Sequence, residues 1–238
     1  MKSSEAQRKG RGMTSDEDVS LIADLSVEEW IGILHGGEPV KRTAAAVCLG
    51  SAVGQADGEL LAQLSKETCL YTRLAICESL ERGGRETARK MAASLGKIGS
   101  NQHKKLPARV SAKKSFPLPR DLMARSLGKM DTSVFPVLLE VLEKGKTEQI
   151  LECLDAVGYL AFYHRELDTE ENGRKVISVS DRLGDNPMIQ WKLILCLSAF
   201  SCWESRSYLS RFAGEASILG EEARRSLHIL ESRPSDIV

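Results

Sequence analysis

The side chains that could carry chemistry are dispersed along this sequence. Paired carboxylates, the groups that acid–base catalysis uses, occur as Glu28/Glu29, Glu170/Glu171 and Glu221/Glu222. Neighbours in sequence diverge on a helix, so each pair suits a solvated face or the start of a helix. The four histidines, His35, His103, His164 and His228, lack the spacing of metal ligands.

Motif chemistry is equally sparse. The sequence contains no HExxH, GxSxG or phosphate-binding loop, and "GSAVGQADG" (50–58) has the glycines of such a loop but lacks its lysine. The six cysteines form no CxxC pair, and four of them sit in apolar helical patterns, where cysteine acts as a small hydrophobe. We therefore expect no catalysis, no metal and no cofactor.

The composition is that of a globular protein built from helices. Hydrophobic residues make up 42% and charged residues 28% of the 238 residues, and aromatics only 5%. The 33 basic and 33 acidic residues balance, whereas proteins that coat nucleic acid or anionic membranes carry a basic excess. The longest apolar runs, such as "LILCLSAF", are too short for a bilayer, and the N-terminus lacks a secretory pattern. We expect a cytoplasmic monomer whose partner is another protein, with nucleic acid and membranes not expected.

The periodic segments predict helices throughout. Residues 1–15 show no periodicity and are predicted to be a flexible tail. In "SVEEWIGIL", Ser26 and Glu29 form a capping box, and glycines at 36 and 37 end the helix. "NP" at 186–187 predicts another helix start, and Pro136 fits a first helical turn. No segment alternates as a strand does.

The second helix of each helical pair follows one register. Counted from Arg42, Arg73, Arg120, Ile150 and Gln190, the third, fourth and seventh residues are apolar and share one helical face. The sixth residues are all small: Cys48, Ser79, Ser126, Ala156 and Cys196. The register steps of 31, 47, 30 and 40 residues fit a unit of about thirty residues with two insertions. The last unit, "GEEARRSLHIL", is interpreted as an end cap that has lost the register.

"RTAAAVCLG" and "RDLMARSLG" resemble the second-helix signature of HEAT repeats, in particular the short bacterial form similar to phycobilisome lyases. The resemblance spans about 25–231, with the arginine replaced at Ile150 and Gln190. It implies an all-α superhelix, a solenoid of about six helical pairs, as one domain over 16–238. In it, Arg42, Arg73 and Arg120 would bridge adjacent repeats.

Two families with HEAT-like folds perform chemistry. Phycobilin lyases act on chromophores, and HEAT-like alkylpurine DNA glycosylases use a basic groove with tryptophans and an aspartate. The fifth-offset line of the second helices, predicted to be exposed, carries Glu78, Arg125 and Asp155 beside Val47 and Leu195. Its mixed signs do not suit a phosphate groove. Asp155 and Trp191 are expected on adjacent helices, which keeps a glycosylase-like pocket as an alternative to a packing or partner-contact role for Trp191.

A basic insertion at about 97–118 interrupts one repeat. It carries Lys104, Lys105, Arg109, Lys113 and Lys114, and it contains no acidic residue. Three interpretations stay open: a solvated flexible insert, a contact element for an acidic partner, or a loop held by the acidic segments "TSDEDVSLIADLSVEE" and "ELDTEEN".

The sequence thus favours a non-catalytic scaffold or adaptor that binds a protein on the concave face of a solenoid. Glu78, Arg125, Asp155, Trp191 and the basic residues of the insertion are the expected contacts. The alternatives are a lyase-like or accessory subunit of an enzyme complex and, third, a nucleic-acid-binding protein of the glycosylase type.

Overall fold

The computed structural model describes residues 4–232, and every regular element in that range is an α- or 3₁₀-helix, with no strand. This confirms the all-α prediction. The chain divides into two compact units, Met1–Met91 and Ala92–Val238, where the sequence predicts one domain over 16–238. A long stretch without α-helix, from 93 to 121, begins just after the division. Residues 1–3 of the predicted tail and 233–238 of the predicted domain lie outside the described residues.

Seven helices belong to the first unit, the last of which ends one residue beyond it. They are α1 (Glu5–Gly10), α2 (Asp16–Ser20), α3 (Val27–Leu34), α4 (Pro39–Leu49), α5 (Val53–Lys66), α6 (Leu70–Leu80) and α7 (Arg85–Ala92). The pairs α3–α4 and α5–α6 stack so that α3 contacts α5 and α4 contacts α6.

Eight helices form the described part of the second unit. They are α8 (Leu122–Leu127), α9 (Phe135–Lys144), α10 (Thr147–Tyr163), α11 (Glu170–Ile177), α12 (Val179–Leu183), α13 (Pro187–Cys196), α14 (Trp203–Ala213) and α15 (Ile218–Ser232). Successive contacts join α9, α11 and α14 in one row and α8, α10, α13 and α15 in another, called here the second-helix row. No helix in the described chain has both the length and the apolarity needed to cross a bilayer.

The predicted helix starts are found where local chemistry places them. Ser26 Oγ accepts from Glu29 N while the Glu29 carboxylate accepts from Ser26 N, so α3 begins with the predicted capping box. Asn186 Oδ1 accepts from two backbone amides at the start of α13. Pro136 lies in the first turn of α9, where its missing N–H costs nothing.

The described part of the predicted flexible tail is folded. Ser4 and Gln7 form a capping box at the start of α1, and α1 packs against α4. Beyond α1, the Arg11 carbonyl accepts from Tyr71 N at 3.1 Å, and the Arg11 guanidinium lies over the Tyr71 ring. A cation over an aromatic face is attracted by the ring quadrupole. This contact leaves no trace in the apolar periodicity from which the tail was predicted to be flexible.

The predicted register of the second helices matches the buried core. The residues at the third, fourth and seventh offsets are all buried, as are the small residues at the sixth offset. In the first unit, Ser79 Oγ donates to the Ala46 carbonyl at 2.7 Å, so α6 lies directly against α4. A side chain at Gly50 would collide with Ser79, which explains the glycine that ends α4.

The same bond recurs at the end of the second unit. Ser226 Oγ on α15 donates at 3.1 Å to the carbonyl of Ile194 on α13. Ile194 is at the fourth offset of its helix, and Ala46 is at the same offset of α4. The last unit therefore keeps the sixth-offset serine, although the sequence analysis interpreted it as having lost the register. Its other positions hide the match, because Arg224 stands where the preceding helices carry an apolar residue.

The three repeat arginines have different surroundings. Arg42 binds the buried Glu67 carboxylate with Nε and Nη2, at 2.8 and 3.0 Å, and so joins α4 to the start of α6. Burial alone would raise the pKa of Glu67, but Arg42 and the Cys69 amide lower it to about 2. Arg73 donates to the Glu67 carbonyl at 2.9 Å. Arg120, in contrast, precedes α8, is exposed and makes no hydrogen bond or ion pair in the described chain.

The small sixth-offset residues are tested by enlargement. Ser126→Leu or Ala156→Leu should lower the free energy of unfolding by about 1–3 kcal/mol, because each introduces a side chain into a fully buried seam of the second-helix row. Glu78→Ala, on an exposed position of α6, should cost less than about 0.5 kcal/mol. Denaturant unfolding measures all three, and equal losses would show that the register is wrong.

Candidate functional site

An open cavity of about 380 Å³ lies over the second-helix row of the second unit. Its floor comes from α10, α13 and α15, through Asp155, Trp191, Leu195, Glu222 and Arg225. The insertion and the two residues after it supply the walls: His103, Pro107, Arg109, Val110, Ser111, Pro117, Leu118, Pro119 and Arg120. The cavity is called the pocket below, and residues 97–118 the basic segment.

The basic segment is folded onto the second unit. Its ring at Phe116 is 3% exposed and lies against α10, with its centroid 5.8 Å from that of Phe162 and 6.5 Å from that of Tyr159. A methyl group at residue 158 would overlap the Phe116 ring, so Gly158 leaves the space that the ring fills. Burying one phenyl ring contributes on the order of 2 kcal/mol toward docking.

Two polar anchors hold the basic segment at other points. Asp121 is fully buried; its Oδ2 accepts from Gln102 Nε2 at 2.8 Å and from Gly96 N at 3.2 Å, and its Oδ1 caps α8. On α15, the Arg225 guanidinium donates to the carbonyls of Lys113 and Ser115 at 2.7–3.1 Å. These contacts dock the basic segment on the second unit.

The acidic segment "ELDTEEN" forms no ion pair with the described cations of the basic segment. Its ion-paired carboxylates, those of Glu166, Glu170 and Glu171, have their partners on His164, Arg174 and Lys175. The other acidic segment belongs to the first unit.

Beneath the floor lies a buried ionic triad. Lys192 Nζ is 2.7 Å from Glu152 Oε2 and 3.0 Å from Asp155 Oδ2, and the Lys192 side chain is fully buried. Burial would lower the pKa of Lys192, but the two carboxylates outweigh it and raise that pKa. Burial raises the pKa of Glu152, and the charge of Lys192 offsets this increase only in part. The triad fixes the Asp155 carboxylate at the pocket floor.

A second buried carboxylate orients the aromatic floor. Glu222 Oε2 accepts from Trp191 Nε1 at 3.2 Å, and its Oε1 pairs with Arg225 Nη1 at 2.9 Å. Burial raises the pKa of Glu222, against the opposing effects of Arg225 and Trp191. Glu222 therefore connects the Trp191 indole to Arg225, the residue that holds the basic segment.

His103 completes the aromatic part of the pocket. Its ring meets the Trp191 ring edge to face, with centroids 4.8 Å apart. Burial lowers the pKa of His103, and the charges of Arg120 and Lys192 lower it further. The imidazole is therefore neutral at pH 7, with one nitrogen to donate and one to accept a hydrogen bond.

The basic segment and Arg120 carry unpaired positive charge. Six exposed cations have no ion pair with any described residue: Lys104, Lys105, Arg109, Lys113, Lys114 and Arg120. The carboxylates of the floor, in contrast, are each bonded to a cation. Arg109 and Arg120 line the pocket, so unpaired positive charge lies at its wall although the protein as a whole has a net charge of zero.

Only some of the predicted site residues come together here. Arg109, Asp155 and Trp191 line the pocket, while Glu78 lies exposed on α6 of the first unit. Arg125 is half-buried and donates to the Pro119 carbonyl at 3.0 Å, so it supports the end of the pocket wall. The fifth-offset line is not exposed at Asp155 and Leu195, because the segment and the neighbouring helices cover both.

Sequence reasoning missed several residues that shape the pocket. Phe116, Lys192 and Arg225 were not singled out. His103 was considered only as a scattered histidine, and Glu222 only as part of a pair on a solvated face or at a helix start, whereas it is buried. A lysine inside the apolar run "WKLILCLSAF" is a signal for a buried charge, and Glu152 and Asp155, three apart on an apolar helix, are its matching partners.

Comparison of the chain with protein-family models, with curated proteins and with solved structures finds no match. In the described part of the chain, no three His, Cys, Asp or Glu side chains are grouped to hold a metal ion.

The triad is tested by removing its cation. Lys192→Met should lower the free energy of unfolding at pH 7 by about 3–5 kcal/mol, because it leaves two buried carboxylates uncompensated. A buried carboxylate whose pKa is raised in the folded state favours folding when protonated, and that contribution is lost as pH rises through the raised pKa. The deficit of the variant should therefore shrink from pH 7 to pH 5.

Lys175→Met is the matched control, since Lys175 pairs with Glu171 on the exposed surface of α11. Its stability should stay close to that of the unmodified protein at both pH values. A Lys192→Met protein with the same stability as this control would contradict the buried triad.

Proposed function

We propose that this chain is a non-catalytic protein-binding module built from HEAT-like helical pairs, and that the second unit binds an acidic segment of a partner protein. The proposal rests above all on the six unpaired cations of the basic segment and Arg120, two of which, Arg109 and Arg120, line an open pocket. Cations of a folded rim attract an acidic partner without first breaking internal ion pairs, so they raise the association rate.

The repeat class is supported by the recurring serine bond. The hydrogen bond from Ser79 to Ala46 and that from Ser226 to Ile194 join equivalent positions of successive second helices, as stacked repeats require. Arg42 adds a contact from α4 to Glu67, as expected of a bridging arginine, whereas Arg73 bonds, within the described chain, only the turn before its own helix.

Docking of the segment supports binding in a second way. Phe116, Asp121 and Arg225 hold the backbone of the segment in place. The backbone that carries the lysines is therefore positioned before a partner binds. Association then costs less conformational entropy than it would with a disordered loop.

A second candidate, a nucleobase-binding site of the glycosylase type, is favoured by one observation: Asp155 and Trp191 both line the pocket. Against it, the Asp155 carboxylate is paired with Lys192, and Glu222 places another carboxylate beside the pocket. We rank it second.

The proposed function is tested with a fluorescein-labelled acidic peptide of Glu, Asp, Gly and Ser residues, measured by fluorescence anisotropy. The unmodified protein should bind it with an affinity that falls as salt rises. Reversing Lys104, Lys105, Lys113 and Lys114 to glutamate should weaken binding tenfold or more and reduce the dependence on salt.

The matched control reverses four exposed lysines outside the segment: Lys9, Lys41, Lys66 and Lys144. Because it has the same net charge as the first variant, it should retain affinity if position matters more than total charge. Equal losses in both variants, or no binding by the unmodified protein, would contradict the proposal. Tight, steeply salt-dependent binding of generic duplex DNA would favour the second candidate.

A further inference from the structure

The pocket has walls that are mainly apolar. Pro107, Pro117 and Pro119 offer ring faces without N–H donors, and Val110 and Leu118 add aliphatic surface. Leu118 is 48% exposed although its neighbour Phe116 is buried, so the folded segment leaves an apolar side chain at the mouth uncovered. Such walls favour an apolar, flat group over a carboxylate.

At the floor, the pocket presents an acceptor. Asp155 belongs to the buried triad and is bonded through Oδ2 to Lys192. An ionised carboxylate accepts about four hydrogen bonds, so Asp155 has capacity for a donor from a ligand. The same carboxylate disfavours a second anion at that depth.

Aromatic surface lies beside this acceptor. The Trp191 indole and the His103 imidazole already meet edge to face, which is the arrangement that aromatic pairs prefer. A volume of about 380 Å³ lies at the lower end of the roughly 300–1,000 Å³ of small-molecule pockets, and it admits one large side chain.

We propose that the pocket receives one tyrosine or tryptophan side chain from the acidic segment of the partner, while the lysines of the basic segment bind the carboxylates on either side of it. The hydroxyl or indole N–H donates to Asp155, and the ring lies between the proline and leucine walls near Trp191 and His103. This inference rests on the proposed function, because the acidic flanks bring the aromatic residue to the pocket.

The order of preference follows from the two parts of the site. Tyrosine and tryptophan supply both a ring and a donor, phenylalanine supplies only the ring, and alanine supplies neither. A phosphotyrosine has lost the hydroxyl donor and carries its charge toward Asp155, so it should bind less tightly than tyrosine.

The test uses acidic peptides that differ only in one central residue: Tyr, Trp, Phe, Ala or phosphotyrosine. With the full chain, the Tyr and Trp peptides should bind at least tenfold more tightly than the Ala peptide, with Phe between them. A peptide series without aromatic preference would overturn the inference but leave the proposed function standing if all the peptides still bind. Tightest binding by the phosphotyrosine peptide would also overturn it.

A pair of substitutions locates the effect. Leu118→Trp narrows the pocket mouth without touching a lysine, and Leu74→Trp makes the same change at a leucine of equal exposure in the first unit. Leu118→Trp should reduce the advantage of Tyr over Ala at least fivefold while leaving the Ala peptide unchanged, and Leu74→Trp should alter neither. An unchanged advantage in Leu118→Trp, checked for folding by circular dichroism, would contradict the assigned pocket.

Discussion

The position of the basic segment, and with it the pocket, depends on the packing of Phe116 against Gly158. The segment from 97 to 118 has no helix, so backbone ladders contribute nothing to its position. One buried ring, set into the space that a glycine leaves on α10, fixes the segment against the second-helix row. Asp121 and Arg225 then fix its two ends by hydrogen bonds to backbone groups and to Gln102. These three contacts hold the segment from which most of the pocket wall is built.

Charge is separated by depth in this part of the molecule. The carboxylates of Glu152, Asp155 and Glu222 are buried and paired with Lys192 or Arg225, whereas the cations of the basic segment are exposed and unpaired. Buried pairs contribute little net stability but are costly to break, so they hold the floor in one arrangement. Exposed, unpaired lysines contribute little to folding and remain available to a partner. The balanced overall composition conceals this separation.

Much of the helical framework follows from local sequence. Three features depend only on neighbours in the chain or on the helical period, and they can be predicted without a structure. They are the Ser26 capping box, the helix start at Asn186–Pro187, and the buried offsets counted from Arg42 to Gln190. The same holds for the small residues at the sixth offset, although the periodic pattern missed Ser226.

The pocket was less predictable because its contacts join residues far apart in the chain. Asp155 and Trp191 were expected to be neighbours, and both line the pocket, but nothing local marks Arg225 as the partner of carbonyls more than a hundred residues away. Arg120 matches the repeat signature yet serves the pocket wall, since the inserted segment ends beside it. Composition left three interpretations of 97–118 open, because it counts prolines and charges and gives no weight to one phenylalanine that packs against α10.

The most direct test of this account is the free energy of unfolding of Phe116→Ala. A docked segment predicts a loss of about 3–5 kcal/mol, since the substitution removes a ring that is 3% exposed and leaves a cavity beside Gly158. Lys114→Ala, an exposed position two residues away, should lose less than about 0.5 kcal/mol. A Phe116→Ala protein as stable as Lys114→Ala would contradict docking of the segment, and with it the pocket and the ordered rim of cations.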